Sequence, residues 1–299
     1  MNTNLTFTEF TDEVVKDILK YLPEEYRNSK IKLNKTIKNN ETLTGLIIQR
    51  DDSRVVPMIY LEEFYKQYES GIQPENILKT IANIRVKHDN DIDVPSFDFL
   101  TDYESSKGNI ILEFVNAETN AAFLEDKPHR IIADLALVYA VKVDCHKYED
   151  INGSCTINNS MLETWNVTED MLYEVAISNL KENASINFCN INKFLDTEDE
   201  DNACTNLYVL TNIDRFYGST LVLLKEEMKK IKENIGNFIM IPFSIHEWIL
   251  IANVDINNEL KLEQMATMVS EVNRILEPSI VLSNHIYVYD DEEILRIVK

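Results

Sequence analysis

Two adjacent residues, His246 and Glu247, are the first candidates for chemistry in this sequence. A His-Glu pair opens the zinc-protease motif His-Glu-x-x-His, in which two histidines one helical turn apart reach the same metal. Leu250 stands at the position of the second histidine, and its neighbours are typical of a strand, so this motif is excluded. Two interpretations remain: the pair completes hydrogen bonds at a polar corner between two strands, or it acts as a general acid and base.

A second candidate pair, His129 and Arg130, comes just before an apolar run that follows Asp134. Because a carboxylate at the start of a buried strand is costly without a partner, the sequence predicts an ion pair of Asp134 with Arg130 or His129. The alternative is a site where His129 and Arg130 hold an anion such as a phosphate or a carboxylate. If the fold brings this pair to the same cleft as His246 and Glu247, the four residues form a candidate catalytic or anion-binding site.

Neither a metal nor a cofactor is predicted. The four cysteines, Cys145, Cys155, Cys189 and Cys204, include no Cys-x-x-Cys pair, which a zinc site usually contains. They are interpreted as reduced thiols. The six glycines occur in no phosphate-binding pattern, and there is no Gly-x-Ser-x-Gly motif, so dinucleotide binding, P-loop hydrolysis and the usual serine hydrolases are argued against.

The net charge is the most unusual property of the composition. The chain has 51 acidic and 29 basic residues, for a net charge of −22. Nucleic-acid binding depends on Lys and Arg that displace counterions from phosphates, so no nucleic-acid binding is expected. The charge either keeps the protein soluble or attracts a basic protein partner, and the run Asp196–Asp201 is the densest acidic patch. The oligomeric state is not indicated.

The apolar patterns predict an α+β fold with mainly antiparallel sheets, helices packed on one side, and two lobes, 1–195 and 203–299. The first lobe is expected to contain a helix from Thr8, a three-stranded meander, and helices from Glu62 and Pro74. No apolar stretch approaches the roughly 20 residues that a membrane helix needs. The first residues show no secretory signal, so a cytoplasmic protein is expected.

The second lobe is expected to follow the order β-β-α-β-β-α-β, with a strand at Thr220–Leu224 and a helix at Lys225–Asn234. Between its first two strands, the sequence from Asn212 to Arg215 is typical of an Asx turn, in which Gly218 supplies backbone freedom.

Several short segments together resemble an uncharacterised family of Gram-positive, mostly clostridial proteins, the domain-of-unknown-function family 5688. The segments are Pro128–Arg130, Asp134–Tyr139, Leu207–Asn212, Gly218, Ile241–Trp248, Glu271–Asn273 and Leu282–Tyr287. The resemblance covers most of the chain and implies a fold but no activity. Phe243 and Asn284 depart from the family pattern, where a small or hydroxyl residue and an acid are usual. Both departures remove polar chemistry and weaken the acid–base hypothesis.

These observations predict a soluble, acidic, cytoplasmic protein of unknown activity. A protein-binding or regulatory module is favoured over an enzyme. The alternative is an enzyme or a small-anion-binding protein whose site is built from His129, Arg130, His246 and Glu247.

Overall fold

The computed structural model describes residues 5–51, 56–91, 101–144, 152–196, 206–290 and 292–299. Within these residues the chain forms helices and three antiparallel sheets, which confirms the predicted α+β class. The chain divides into two compact units. Unit 1 consists of the described residues up to 91, and unit 2 of those from 101 onward.

Unit 1 combines helices with a three-stranded sheet. Thr6 caps the first helix, because its Oγ1 accepts from the N–H of Glu9 at 3.3 Å while Glu9 Oε2 accepts from the N–H of Thr6 at 2.8 Å. The three strands follow one another as an antiparallel meander, as predicted. The elements are α1 Phe7–Asp17, β1 Lys30–Lys38, β2 Glu41–Gln49, β3 Met58–Tyr60, α2 Glu62–Glu69 and α3 Pro74–Asp91.

A charged cluster lies in the core of unit 1. Arg85 on α3 is 0% exposed, and its Nε donates to the carbonyl of Ile48 at 2.9 Å. Its guanidinium group pairs with Asp89, one helical turn later, and lies 5.1 Å from the centroid of the Tyr26 ring. The Tyr26 hydroxyl also donates to Asp89. The carboxylate of Asp89 therefore neutralises a cation that has no access to water.

Unit 2 contains a four-stranded and a six-stranded sheet. In the four-stranded sheet the strand order is β4-β6-β5, and β7 also pairs with β6. Asn158 and Thr168 cap the two longer helices of this part, each accepting a backbone N–H three residues ahead. The elements up to this point are α4 Tyr103–Ser106, β4 Ile110–Asn116, α5 Ala121–Leu124, β5 His129–Ile132, β6 Leu135–Asp144, β7 Asn152–Thr156, α6 Asn159–Trp165 and α7 Glu169–Asn183.

The six-stranded sheet has the order β13-β12-β10-β11-β9-β8. Its elements are β8 Ile186–Asn190, α8 Ile191–Phe194, β9 Leu207–Asn212, α9 Lys225–Ile235, β10 Phe238–Pro242, β11 Trp248–Ala252, α10 Glu259–Asn273, β12 Tyr287–Asp290 and β13 Ile294–Ile297. Helix α9 agrees with its prediction to one residue, and Gly236 ends it with a φ of 74°.

The two sheets of unit 2 share one hydrophobic core. Leu112 and Phe114 of β4 belong to the same buried cluster as Leu210 of β9, Trp248 of β11 and Tyr287 of β12. Burial of each such side chain contributes about 1.5–3 kcal/mol. Residues from both sheets therefore stabilise unit 2 through one shared core.

The division into units differs from the predicted lobes 1–195 and 203–299. Residues 186–190, which the predicted first lobe includes, form β8, and this strand pairs with β9 of the second, with Phe188 opposite Leu210. The predicted boundary was based on the acidic run 196–201, because a like-charge run is typical of an exposed segment. Apart from Asp196, that run lies outside the described residues.

A second prediction was wrong at Thr220–Leu224. Residues Gly218–Leu223 form a 3₁₀ helix, and all six are buried. A short apolar run that is buried on every side has the composition of a buried strand, so periodicity could not distinguish the two. Within the described part of the chain, no helix is both long and apolar enough to span a bilayer.

Candidate functional site

The corner between β10 and β11 places His246 and Glu247 against backbone and hydroxyl groups. Nδ1 of His246 accepts from the N–H of Tyr217 at 3.2 Å, so this nitrogen carries no proton. Glu247 Oε1 accepts from the hydroxyl of Ser244 at 3.0 Å. Burial lowers the pKa of His246, although the charge of Glu247 raises it. These contacts agree with the interpretation of a hydrogen-bonded polar corner.

His129 and Arg130 begin β5 and make different contacts. Nδ1 of His129 donates to the carbonyl of Lys127 at 2.8 Å. Arg130 forms a two-pronged ion pair with Glu169 at 2.7 and 3.0 Å, pairs also with Asp170, and lies 3.8 Å from the centroid of the Tyr173 ring. The hydrogen bonds to Glu169 raise the pKa of Arg130. Its charge is therefore already balanced by the first turn of α7.

The partner of Asp134 is not the one that was predicted. Its carboxylate accepts from the Ser283 hydroxyl at 2.7 Å and from the Tyr287 hydroxyl, and it lies 3.0 Å from Nδ1 of His285. Burial raises the pKa of Asp134, but these hydrogen bonds outweigh it and the pKa is lowered overall. Asp134 and these partners are about 150 residues apart in the sequence, and no local pattern links them.

Residues 212–218, here named the Asn212 loop, connect β9 to the 3₁₀ helix. The side chain of Asn212 makes two hydrogen bonds across the turn to the backbone of Phe216. Its Nδ2 donates to the carbonyl of Phe216 at 2.7 Å, and its Oδ1 accepts from the N–H of Phe216 at 2.9 Å. The side chain of Asn212 therefore closes the turn, as predicted, but its oxygen bonds the N–H four residues on and not two residues on as in an Asx turn. Arg215 and Tyr217 have φ values of 50° and 52°, a region that non-glycine residues rarely adopt. Such conformations concentrate at binding and catalytic sites.

Glycine is needed at position 218 because there is no room for a side chain, and not because the backbone needs a positive φ. A Cβ atom at this position would lie 2.5 Å from the carbonyl oxygen of His246 and 2.8 Å from the backbone nitrogen of Asn212. The corner and the Asn212 loop are thus in direct backbone contact. Thr211 strengthens this contact, because its hydroxyl donates to the same His246 carbonyl at 2.9 Å. His246 therefore positions the loop.

A cavity of about 400 Å³ opens beside the Asn212 loop, within the range of roughly 300–1,000 Å³ that is typical of ligand sites. Its walls come from the start of β4, one face of α7, the loop and Lys142 of β6. The polar lining residues are Asn109, Lys142, Asn179, Asn183, Ser185, Asn212, Asp214, Tyr217 and Thr220. None of the four candidates predicted from the sequence lines this cavity.

Helix α7 is held at the cavity by one asparagine. Nδ2 of Asn179 donates to the carbonyls of Lys107 at 2.7 Å and Ile110 at 2.9 Å, which fixes the helix to the segment that leads into β4. The carbonyl oxygen of its side chain is left as an acceptor. Asn183, one turn later, donates to the backbone carbonyl of Asn179 at 2.9 Å. The wall of the cavity is therefore polar and fixed in place.

Behind Tyr217 lies a buried carboxyl group that the sequence reasoning missed. Glu113 of β4 is 7% exposed, and the hydroxyls of Ser154 and Tyr217 hydrogen-bond to it. Burial raises its pKa to about 7, against the effect of these hydrogen bonds. Burial and the charge of Glu113 raise the pKa of Tyr217 to about 12. The Oε1 atom of Glu113 has no partner among the described residues.

A signal for Glu113 was present in the sequence. The residue interrupts the apolar run Ile110–Val115, and it faces Val138 on the side of the sheet that carries Val115 and Ala136. A charged residue inside a strand that is otherwise buried predicts a perturbed pKa or a buried partner. Its partner Tyr217 lies about 100 residues further on, and no pattern links the two.

Neither thiols nor metal ligands contribute to this site. Cys155 and Cys189 are free, and burial raises the pKa of Cys155, which keeps its thiol protonated and weakly reactive. Cys145 and Cys204 lie outside the described residues. Across the part of the chain that the structure describes, no three side chains of the His, Cys, Asp and Glu types converge as a metal site would require.

Comparison with known proteins identifies the chain by family alone. A model described as "Family of unknown function (DUF5688)" matches residues 7–291, nearly the whole chain. The chain belongs to this family. A search of the curated proteins and a search of the solved structures each found no match. Membership in DUF5688 confirms the resemblance seen in the sequence and assigns no activity.

Proposed function

We propose that unit 2 of this DUF5688 protein binds a small polar molecule in the cavity beside the Asn212 loop. The observation that carries the proposal is the combination of a cavity of about 400 Å³ with a polar wall. The wall includes a loop held at positive φ by the His246 corner, which is the arrangement of a preorganised binding site.

Ligand binding in this cavity is better supported than an enzyme whose catalytic groups are the four residues singled out in the sequence. Arg130 is paired with two carboxylates, and Nδ1 of His246 is engaged by the Tyr217 backbone. None of the four, including His129 and Glu247, lines the cavity. An enzyme or anion-binding site built from these four residues would need a cleft other than this one.

The test is a ligand-observed NMR screen of amino acids, sugars, nucleosides and small carboxylates by saturation transfer from the protein. We expect at least one class to bind, and an Asn183→Trp variant to lose that binding because Asn183 lines the cavity and an indole there takes up part of its volume. Lys181→Trp is the matched control, since Lys181 lies on the same helix and does not line the cavity. Absence of binding by every class, or equal binding to both variants, would contradict the proposal.

A second candidate function is docking of a basic amphipathic protein segment. An apolar groove of about 260 Å³, here named the α10 groove, runs between α10 and the six-stranded sheet. Met268, in the groove, is 64% exposed. An amphipathic helix would cover such a surface, and basic flanks would be attracted by the net charge of −22. This candidate retains the basic protein partner that the composition suggested.

The docking proposal predicts binding of a synthetic Leu/Lys amphipathic peptide that weakens as salt is raised, because the attraction is screened over about 8 Å at physiological ionic strength. Met268→Glu should abolish the binding. Leu260→Glu is the control, since Leu260 is 68% exposed on the same helix and outside the groove. Equal affinity of the two variants, measured by fluorescence anisotropy, would reject the groove as the docking surface.

We further propose that the protein acts in the cytoplasm and does not bind nucleic acid. The free thiols of Cys155 and Cys189 suit a reducing compartment. The excess of acidic residues opposes contact with phosphates.

A further inference from the structure

Two side chains of opposite charge line the cavity of unit 2. Lys142 comes from β6 and Asp214 from the Asn212 loop. Among the described residues that line the cavity, no other is a Lys, Arg, Asp or Glu. Neither makes an ion pair or a side-chain hydrogen bond with another described residue, and no ion pair joins them to each other, which distinguishes them from Arg130 and Asp134.

We propose that the ligand is zwitterionic and carries a free ammonium and a free carboxylate group, as an α-amino acid or a short peptide does. The ammonium group would pair with Asp214 and the carboxylate group with Lys142. This inference rests on the proposed small-molecule site and names the chemical class of its ligand.

The charges of the wall favour this class over simple anions and cations. The net charge of −22 repels free anions, and Lys142 alone is a weak anchor against that field. A simple amine could pair only with Asp214, and a simple carboxylate could pair only with Lys142. A zwitterion satisfies both groups and adds no net charge to the protein.

Amide groups in the wall suit the remainder of such a ligand. The free side-chain carbonyl of Asn179 accepts hydrogen bonds, while the nearby Leu180 and Leu221 provide apolar surface. The volume of about 400 Å³ holds a single amino acid with ordered water or a short peptide. Tyr217 closes the wall on the side of Glu113.

The experiment uses the whole chain and a mixture of the twenty L-amino acids, with di- and tripeptides of alanine as a second probe, in ligand-observed NMR. For each compound that binds, its N-acetyl and its C-terminal amide derivative are titrated by calorimetry. We expect each derivative to bind at least about tenfold more weakly, because each lacks one charge-assisted contact. Lys142→Met and Asp214→Asn should weaken the parent compound by a similar factor.

Two control variants and three contrary results define the outcome. Lys181→Met and Asp12→Asn change the same types of residue away from the cavity and should leave affinity unchanged. If amino acids and peptides do not bind while another polar class binds in an Asn183-dependent manner, the ligand class is wrong and the proposed function stands. If no class binds, the proposed function itself fails. Binding of an amino acid that neither Lys142→Met nor Asp214→Asn weakens also overturns the inference.

Discussion

Replacing Glu113 by glutamine is expected to stabilise unit 2 at pH 8 by about 3 kcal/mol and to have little effect at pH 4. Burial raises the pKa of Glu113 from 4.5 to about 7, and each pKa unit corresponds to about 1.36 kcal/mol. Between these two values the folded protein holds the proton more tightly than the unfolded chain. Stability therefore falls as the pH rises from 4.5 to about 7, and the penalty is complete above that. A neutral amide avoids the penalty.

Urea unfolding followed by tryptophan fluorescence would measure this effect, because both tryptophans, Trp165 and Trp248, belong to unit 2. Glu163→Gln, at an exposed position on α6, is the matched control and should show no such pH dependence. A Glu113→Gln variant that is less stable than the wild type at pH 8 would mean that the carboxylate form is the favoured partner of Tyr217.

The second large effect is expected in unit 1, where Asp89→Ala should cost about 3–5 kcal/mol. The substitution removes the carboxylate that pairs with Arg85, which is fully buried, and leaves the Tyr26 hydroxyl without its acceptor. Native-state hydrogen exchange of the β2 amides at increasing urea concentrations would measure the loss, because unit 1 contains no tryptophan.

A double variant separates the buried charge from other causes. Arg85→Met combined with Asp89→Ala should recover most of the stability, since replacing a buried ion pair by apolar side chains is often neutral. Asp12→Ala, at an exposed position of α1, should change the free energy of unfolding by less than about 0.5 kcal/mol. An Asp89→Ala variant as stable as this control would show that water reaches Arg85.

The parts of the fold that could be predicted are those whose signals are local. Helices α2 and α3 begin at Glu62 and Pro74, as expected. The meander of unit 1 follows from β-branched runs with short polar turns between them. The 3₁₀ helix at Gly218–Leu223 could not be predicted, because its conformation depends on burial beneath Trp248 and the corner.

The candidate site could be predicted only in fragments. The sequence indicated the polar corner at His246 and the turn at Asn212, but not that the first positions the second. A lysine near the end of a strand is ordinary in a sequence, and only the fold places Lys142 in the same cavity wall as Asp214. Contacts between residues that are 29 or more positions apart decide such a site, and a single sequence holds no signal for them.

The indole of Trp248 donates to the carbonyl of Ser219 at 2.7 Å, directly behind the loop that borders the cavity. This places a natural fluorophore one residue from Gly218, in a position where its emission depends on the polarity and hydrogen bonding of that backbone. Removing Trp165 by substitution with phenylalanine leaves Trp248 as the only tryptophan. In the Trp165→Phe variant, binding of a ligand in the cavity would change the emission wavelength or intensity of Trp248, so no attached label is needed.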